Sequence, residues 1–145
     1  MVLFLVRHAH AESGEPDETR PLSERGRAEA RTLAGSLAQH ETPPVLVLSS
    51  PLLRARETAD EIGRVTAAEL RVDERLLPGA TPGSLLDAIG DETRPVAAVC
   101  HQPDCSEIAL ALIGHDPGFP PGGVAEIDLG DSVGVRLKSD PSSAS

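Results

Sequence analysis

Four side chains stand at or just past the ends of apolar runs. Arg7 and His8 follow VLFLV (2–6), Arg54 lies one turn beyond PPVLVLSS (43–50), and His101 closes RPVAAVCH (94–101). Two guanidiniums and two imidazoles suit one kind of chemistry. A phosphoryl group carries about two negative charges near neutral pH. Arginine forks match its oxygens bidentately. A neutral imidazole can attack phosphorus and hold it covalently. A second imidazole, kept protonated by the anion, can stabilise charge in the transition state. Such a site needs one histidine neutral and the other cationic in the same pocket.

The elements that must position these groups can be read from hydrophobic periodicity. Residues 2–6, 43–50 and 94–101 read as strands covered on both faces. The polar stretch AESGEPDETRP (11–21) is a loop. Ser23 can cap a helix whose inner stripe is Ala30, Leu33, Ala34, Leu37 and Ala38. PLLRARETADEIG (51–63) continues as a helix, with Pro51 near its first turn and Gly63 past its end. LRVDERLL (70–77) is a weaker strand, and a helix follows over about residues 81–89. Asp104 can cap the next helix with Glu107 in the capping-box position, over an inner stripe of Cys105, Ile108, Ala109, Leu112 and Ile113. VAEIDLG and SVGVRLK, joined at Gly130-Asp131, read as an antiparallel hairpin. Alternating strands and helices predict a three-layer α/β/α sandwich with a mostly parallel central sheet and this C-terminal hairpin. Ligands sit beyond the carboxyl ends of the strands in such sheets, so Arg7, His8, Arg54 and His101 should meet at one edge. One domain is expected over 1–138, with a disordered Ser-rich tail over 139–145.

Composition excludes several functions. The 145 residues carry a net charge of -10, with 13 Lys+Arg against 23 Asp+Glu, and no basic block. That field repels nucleic acid and anionic membranes. Phe4 and Phe119 are the only aromatics, too few to stack bases. Cys100 and Cys105 do not make a disulfide framework. Residues 2–6 are too few for a signal sequence. A soluble, cytoplasmic protein is expected, a monomer that engages neither nucleic acid nor membrane.

The short motifs fall into a pattern. RHA (7–9) after a β-run resembles the RHG/RHA signature of the histidine phosphatase (phosphoglycerate mutase-like) superfamily. RPLSERGRAEA (20–30), SSPLLRARETA (49–59) and the strand-end histidine of AVCHQPD (98–104) follow in that family's order. The chain is most similar to the short bacterial phosphohistidine phosphatase branch, which lacks large insertions. The resemblance implies a metal-independent phosphatase with no cofactor. His8 would be the nucleophile, Arg7 and Arg54 would bind phosphoryl oxygens, and His101 would be the second histidine. Arg20, before PLS, is a candidate phosphate contact, and Ser13 a weaker one. VDER (72–75) resembles the segment where larger members place a general acid, which suggests Glu74. The short branch often has no clear counterpart there. A protein phosphohistidine is the expected substrate, with a small phosphate ester such as a sugar or nucleotide phosphate as the alternative. Two other classes compete. Cys100, Cys105, His8, His10 and His101 could ligate zinc in a metal-dependent hydrolase, although Cys105 also falls on an apolar helix stripe. A non-catalytic phospho-binding module would keep the arginines and lose the nucleophile. His10 is expected to line the pocket from the loop, and His40 and His115 to have no role.

Overall fold

The computed structural model describes residues 1–130. Five strands and four helices alternate along it. The strands are β1 (Val2–Arg7), β2 (Leu46–Ser49), β3 (Glu69–Val72), β4 (Val96–Cys100) and β5 (Val124–Asp128). The helices are α1 (Glu24–Ala38), α2 (Leu53–Thr66), α3 (Pro82–Ile89) and α4 (Asp104–Ile113). The sheet order is β3-β2-β4-β1-β5. The β1–β4, β4–β2 and β2–β3 pairs are parallel, and β5 runs antiparallel to β1. The expected α/β class and mostly parallel sheet are therefore present. The hairpin partner of β5 and the tail lie outside the described residues.

Strand alternation sorts the core into two layers, because successive side chains point to opposite faces. Leu3, Leu5, Leu46, Leu48, Val96 and Ala98 pack against α3 and α4 through Leu85, Ala88, Ile108 and Ala109. Phe4, Val6, Val47, Ala97 and Val99 pack against α1 and α2 through Leu33, Leu37, Ala59 and Ile62. With few aromatics, this core is closed by branched aliphatics and alanine.

Three local readings are corrected. Gly63 does not end α2, which runs on to Thr66 and closes at Ala67 in the left-handed region (φ 61°). Gly63 instead makes room: a Cβ there would lie 2.6 Å from Leu70 Cδ2. The weak strand over 70–77 is β3 followed by a 3-10 turn, Glu74–Leu76, and all four β3 residues are exposed at the sheet edge. Asp104 does not cap its own helix, whose N-cap position is Pro103 with no side-chain cap. The buried Asp104 carboxylate accepts from Gly79 N–H at 2.8 Å and Ala80 N–H at 3.1 Å, tying the 77–80 loop to α4.

Candidate active site

Register places the histidines. Arg7 pairs with Cys100 across the parallel β1–β4 ladder. His8 and His101 therefore leave adjacent strands side by side, and their rings lie 5.2 Å apart between centroids. The backbone around the pair is tightly held. His8 N–H donates to the Cys100 carbonyl at 3.1 Å, and Arg7 N–H donates to that of Gly123 at 2.9 Å. Gly122 N–H meets the carbonyls of both Arg7 and His8 at 3.1 Å. Ala9 N–H donates to Thr58 Oγ1 at 3.1 Å, and that hydroxyl donates to the Arg54 carbonyl at 2.9 Å. One threonine thus fixes the turn after β1 to the first turn of α2, and with it His8 relative to Arg54.

The hydrogen bonds define the histidine tautomers. His8 Nδ1 lies 2.7 Å from the Ala9 carbonyl, which can only accept, so Nδ1 carries the proton. In the neutral ring, Nε2 then keeps its lone pair. Burial lowers the His8 pKa to about 4, with the charges of Arg54, Arg7 and Arg20 adding to the effect against the Ala9 bond. His8 is therefore a neutral imidazole at pH 7 with a free Nε2, the form that attacks phosphorus.

His101 Nε2 lies 2.7 Å from Ser50 Oγ, which accepts from Leu52 N–H at 3.3 Å. The serine hydroxyl satisfies its own donor by donating to Nε2, which leaves the proton of a neutral His101 on Nδ1. Burial lowers the His101 pKa to about 3, with help from His8 and Arg54 and with Asp17 opposing. The pocket by itself therefore holds both histidines neutral, where the sequence asked for one cation. The first reason is burial, which disfavours the charged ring in both, and the Arg54 charge adds to it. A bound dianion would reverse the balance at His101.

Three buried side-chain polar atoms have no hydrogen-bond partner among the described residues: Arg7 Nε, Arg54 Nε and His101 Nδ1. All three are donors, and all belong to residues singled out from sequence. Buried donors normally find acceptors, and one without an acceptor costs roughly 1–3 kcal/mol. An oxyanion placed within reach of any of them would supply the missing acceptor. The rest of Arg7 is anchored by Nη1–H donating to the Phe119 carbonyl at 2.9 Å.

The other sequence candidates are placed as follows. Arg20 sits in the loop between β1 and α1, donating from Nη1 to the Glu12 carbonyl at 3.0 Å and from Nε to Asp17 Oδ1 at 3.0 Å. Glu74 is exposed on the 3-10 turn after the edge strand β3, which β2 and β4 separate from β1. No hydrogen bond or ion pair joins it to the four central residues among the described residues. His10 turns toward α1, with Nδ1 2.6 Å from Ser23 Oγ. Gly26 allows that approach, since a Cβ there would lie 1.9 Å from the His10 carbonyl oxygen. Cys100 and Cys105 are fully buried in the core, and the Cys105 thiol donates to the Val6 carbonyl at 3.6 Å. Among the described residues, no three His, Cys, Asp or Glu side chains cluster so as to hold a metal ion. No described helix is long and apolar enough to cross a membrane.

Two further polar residues stand beside the four central ones, and the sequence singles out neither. Ser50 ends PPVLVLSS, and a serine closing a buried strand beside a strand-end histidine is a usable signal. Asp17 lies in a loop of ordinary polar composition, yet its carboxylate bridges Arg54 and Arg20. Desolvation works to raise the Asp17 pKa, but the charge of Arg54 and bonds from Arg20 and Arg54 outweigh it and hold the carboxyl below its usual range.

Comparison with known proteins agrees with this geometry. The family described as the histidine phosphatase superfamily (branch 1) matches residues 3–77, a span containing Arg7, His8, Arg20 and Arg54. An uncharacterized protein of Mycobacterium tuberculosis is 39% identical over 111 residues, covering 71% of this chain and 68% of that protein. The phosphohistidine phosphatase SixA of Escherichia coli is 29% identical over 143 residues, covering 91% of this chain and 88% of its own. A solved structure of the protein histidine phosphatase SixA complexed with tungstate superposes with a TM-score of 0.81 at 29% identity, covering 91% of this chain and 90% of that one. Motif order, sheet-edge geometry and these matches agree: the chain belongs to the histidine phosphatase superfamily, branch 1.

Proposed function

We propose that this protein removes phosphate from phosphohistidine on a protein, through a covalent phosphate on its own His8. The observation that carries this is the set of three buried, unpartnered donors on Arg7, Arg54 and His101, beside a histidine whose Nε2 is free. His8 Nε2 attacks phosphorus in line, forming a P–N bond as the substrate's P–N bond breaks. Arg7 and Arg54 neutralise the phosphoryl oxygens, and His101 donates from Nδ1. Water then attacks the phosphorus of phospho-His8, releasing inorganic phosphate and restoring the imidazole. A protonated substrate imidazole leaves neutral, so the first step makes little demand on a general acid. Glu74, exposed and unattached to the pocket residues, is at most an assisting acid.

Substrate class is supported by the shape of this edge and by the relatives. β2–α2 and β4–α4 turn over in three residues each, 50–52 and 101–103, and β1–α1 spans 8–23 with one 3-10 turn. A protein side chain can approach such an edge. SixA, whose name states phosphohistidine phosphatase, matches along nearly its whole length. The alternative, a small phosphate ester, fits the same pocket chemistry. The deciding experiment compares kcat/KM on a phosphohistidine-bearing protein, an aryl phosphate and an alkyl phosphate. The proposal expects the phosphohistidine protein to be turned over best and the alkyl phosphate worst. Preference for the alkyl phosphate would transfer the assignment to a small-molecule phosphatase.

A further inference from the structure

Asp17 lies outside the chemistry the sequence called for, yet among the described residues it alone holds the tip of Arg54. Arg54 Nη1 donates to the Asp17 carbonyl at 2.9 Å, and Nη2 donates to Asp17 Oδ2 at 3.2 Å. No other partner of this guanidinium exists among the described residues. The second carboxylate oxygen is used separately. Asp17 Oδ1 accepts from Arg20 Nε at 3.0 Å and lies 3.0 Å from Arg20 Nη2. One carboxylate thus joins the two arginines, one oxygen to each.

Burial sets the direction of this contact. The Arg54 side chain is 7% exposed and that of Asp17 is 56% exposed. The carboxylate comes from the solvent side onto a guanidinium that is otherwise inside. A guanidinium has five N–H groups. Asp17 takes two of those on Arg54, and three remain, including the buried, unpartnered Nε. Asp17 and an oxyanion can therefore hold Arg54 together, through different N–H groups. If Asp17 instead blocked the pocket as an internal anion, it would compete with the oxyanion for the same donors. The unpartnered Nε favours joint occupancy.

We propose that Asp17 is the positioning residue that fixes Arg54 and Arg20 on one side of the phosphate site, which rests on the pocket reading given above. Among the described residues the Arg20 side chain is otherwise held by the Glu12 carbonyl alone, so Asp17 is what attaches that loop's cation to the buried one. Long arginine side chains lose much rotamer freedom when ordered. An arginine already held by Asp17 loses less when the oxyanion arrives.

The test is tungstate binding by calorimetry on the full chain at pH 7.5. Wild type is compared with Arg54→Ala, Asp17→Asn, Asp17→Ala, Asp17→Glu and Arg20→Ala. Arg54→Ala is expected to lose most of the affinity. Asp17→Asn and Asp17→Ala are expected to weaken tungstate on the order of tenfold, since small displacements of positioning groups cost one to two decades. KM for an aryl phosphate should rise with them, and kcat should change less. Asp17→Glu should recover part of the loss. Arg20→Ala combined with Asp17→Ala should cost less than the two singles together. Thermal midpoints should hold, because the Asp17 side chain is mostly exposed. Asp17→Asn binding tungstate as well as or better than wild type, while Arg54→Ala fails, overturns this inference alone; the tighter binding would mean that Asp17 blocks the pocket. Arg54→Ala binding like wild type overturns the pocket reading and takes this inference with it.

Discussion

Both histidines are neutral in the pocket by itself, so binding a dianion should draw a proton from solution. The perturbation is tungstate, a tetrahedral dianion. One unit charge about 4 Å from an imidazolium contributes about 4 kcal/mol at an effective dielectric near 20. That is about a thousandfold in proton affinity, and two charges give about a millionfold. His101 starts at about 3, so this lifts it past neutrality. Ser50 can accept the new Nε2–H, and Nδ1–H remains for the oxyanion. The same charges act on His8, which starts at about 4, so uptake at pH 7 should be one proton or more. The sign follows by linkage: binding that takes up protons tightens as pH falls, so affinity should rise from pH 8 to pH 6. The assay is calorimetry in buffers of different ionisation enthalpy, where the slope of observed heat against buffer enthalpy counts protons. His101→Asn should lower the slope by about one proton. A buffer-independent heat in wild type, or a slope unchanged in His101→Asn, would refute the assignment of His101 as a group that charges.

Further outcomes follow from the packing around the site. Thr58→Val strands the Ala9 N–H in a buried place and should destabilise the fold by roughly 1–3 kcal/mol, read from urea denaturation, and reduce activity because it frees the turn that carries His8. Gly26→Ala puts a methyl group into the His10 carbonyl and should cost about 1–3 kcal/mol or more, read as a lowered thermal midpoint; an unchanged midpoint would mean that the loop moves aside freely. Glu74→Gln should be nearly silent on phosphohistidine and p-nitrophenyl phosphate and should slow only alkyl phosphates, where a general acid contributes roughly 10²–10⁴-fold. A uniform loss across all three would give Glu74 a structural role instead.

The candidate site was legible because it is built from strand ends. Apolar runs announce buried parallel strands, and the polar residue that terminates each one is conspicuous against them. Arg7, His8 and His101 were visible for that reason, and Arg54 because it follows a strand by a single helical turn. What stayed hidden depends on backbone groups and on residues of ordinary type. The Ala9 carbonyl fixes the His8 tautomer, and no sequence pattern marks a carbonyl. Asp17 is one acid among several in a polar loop, and only the fold shows that it lands on Arg54. Asp104 had the right type and place for a helix cap, but the neighbouring 77–80 loop offered it two N–H groups. Gly63 carried a helix-stop signal, but the close approach of Leu70 gives it a packing role inside α2. In these cases tertiary contacts outweighed a correct local propensity.

The most direct test of the account is the covalent intermediate. The protein is mixed for milliseconds with a phosphohistidine-bearing protein carrying labelled phosphate, quenched in base, digested and sequenced by mass spectrometry. The account predicts that, within this chain, label appears on His8 alone, at Nε2, stable in base and lost in acid, and is absent from the His8→Ala chain. Turnover with no labelled histidine in this chain, or label on the His8→Ala chain, would contradict it.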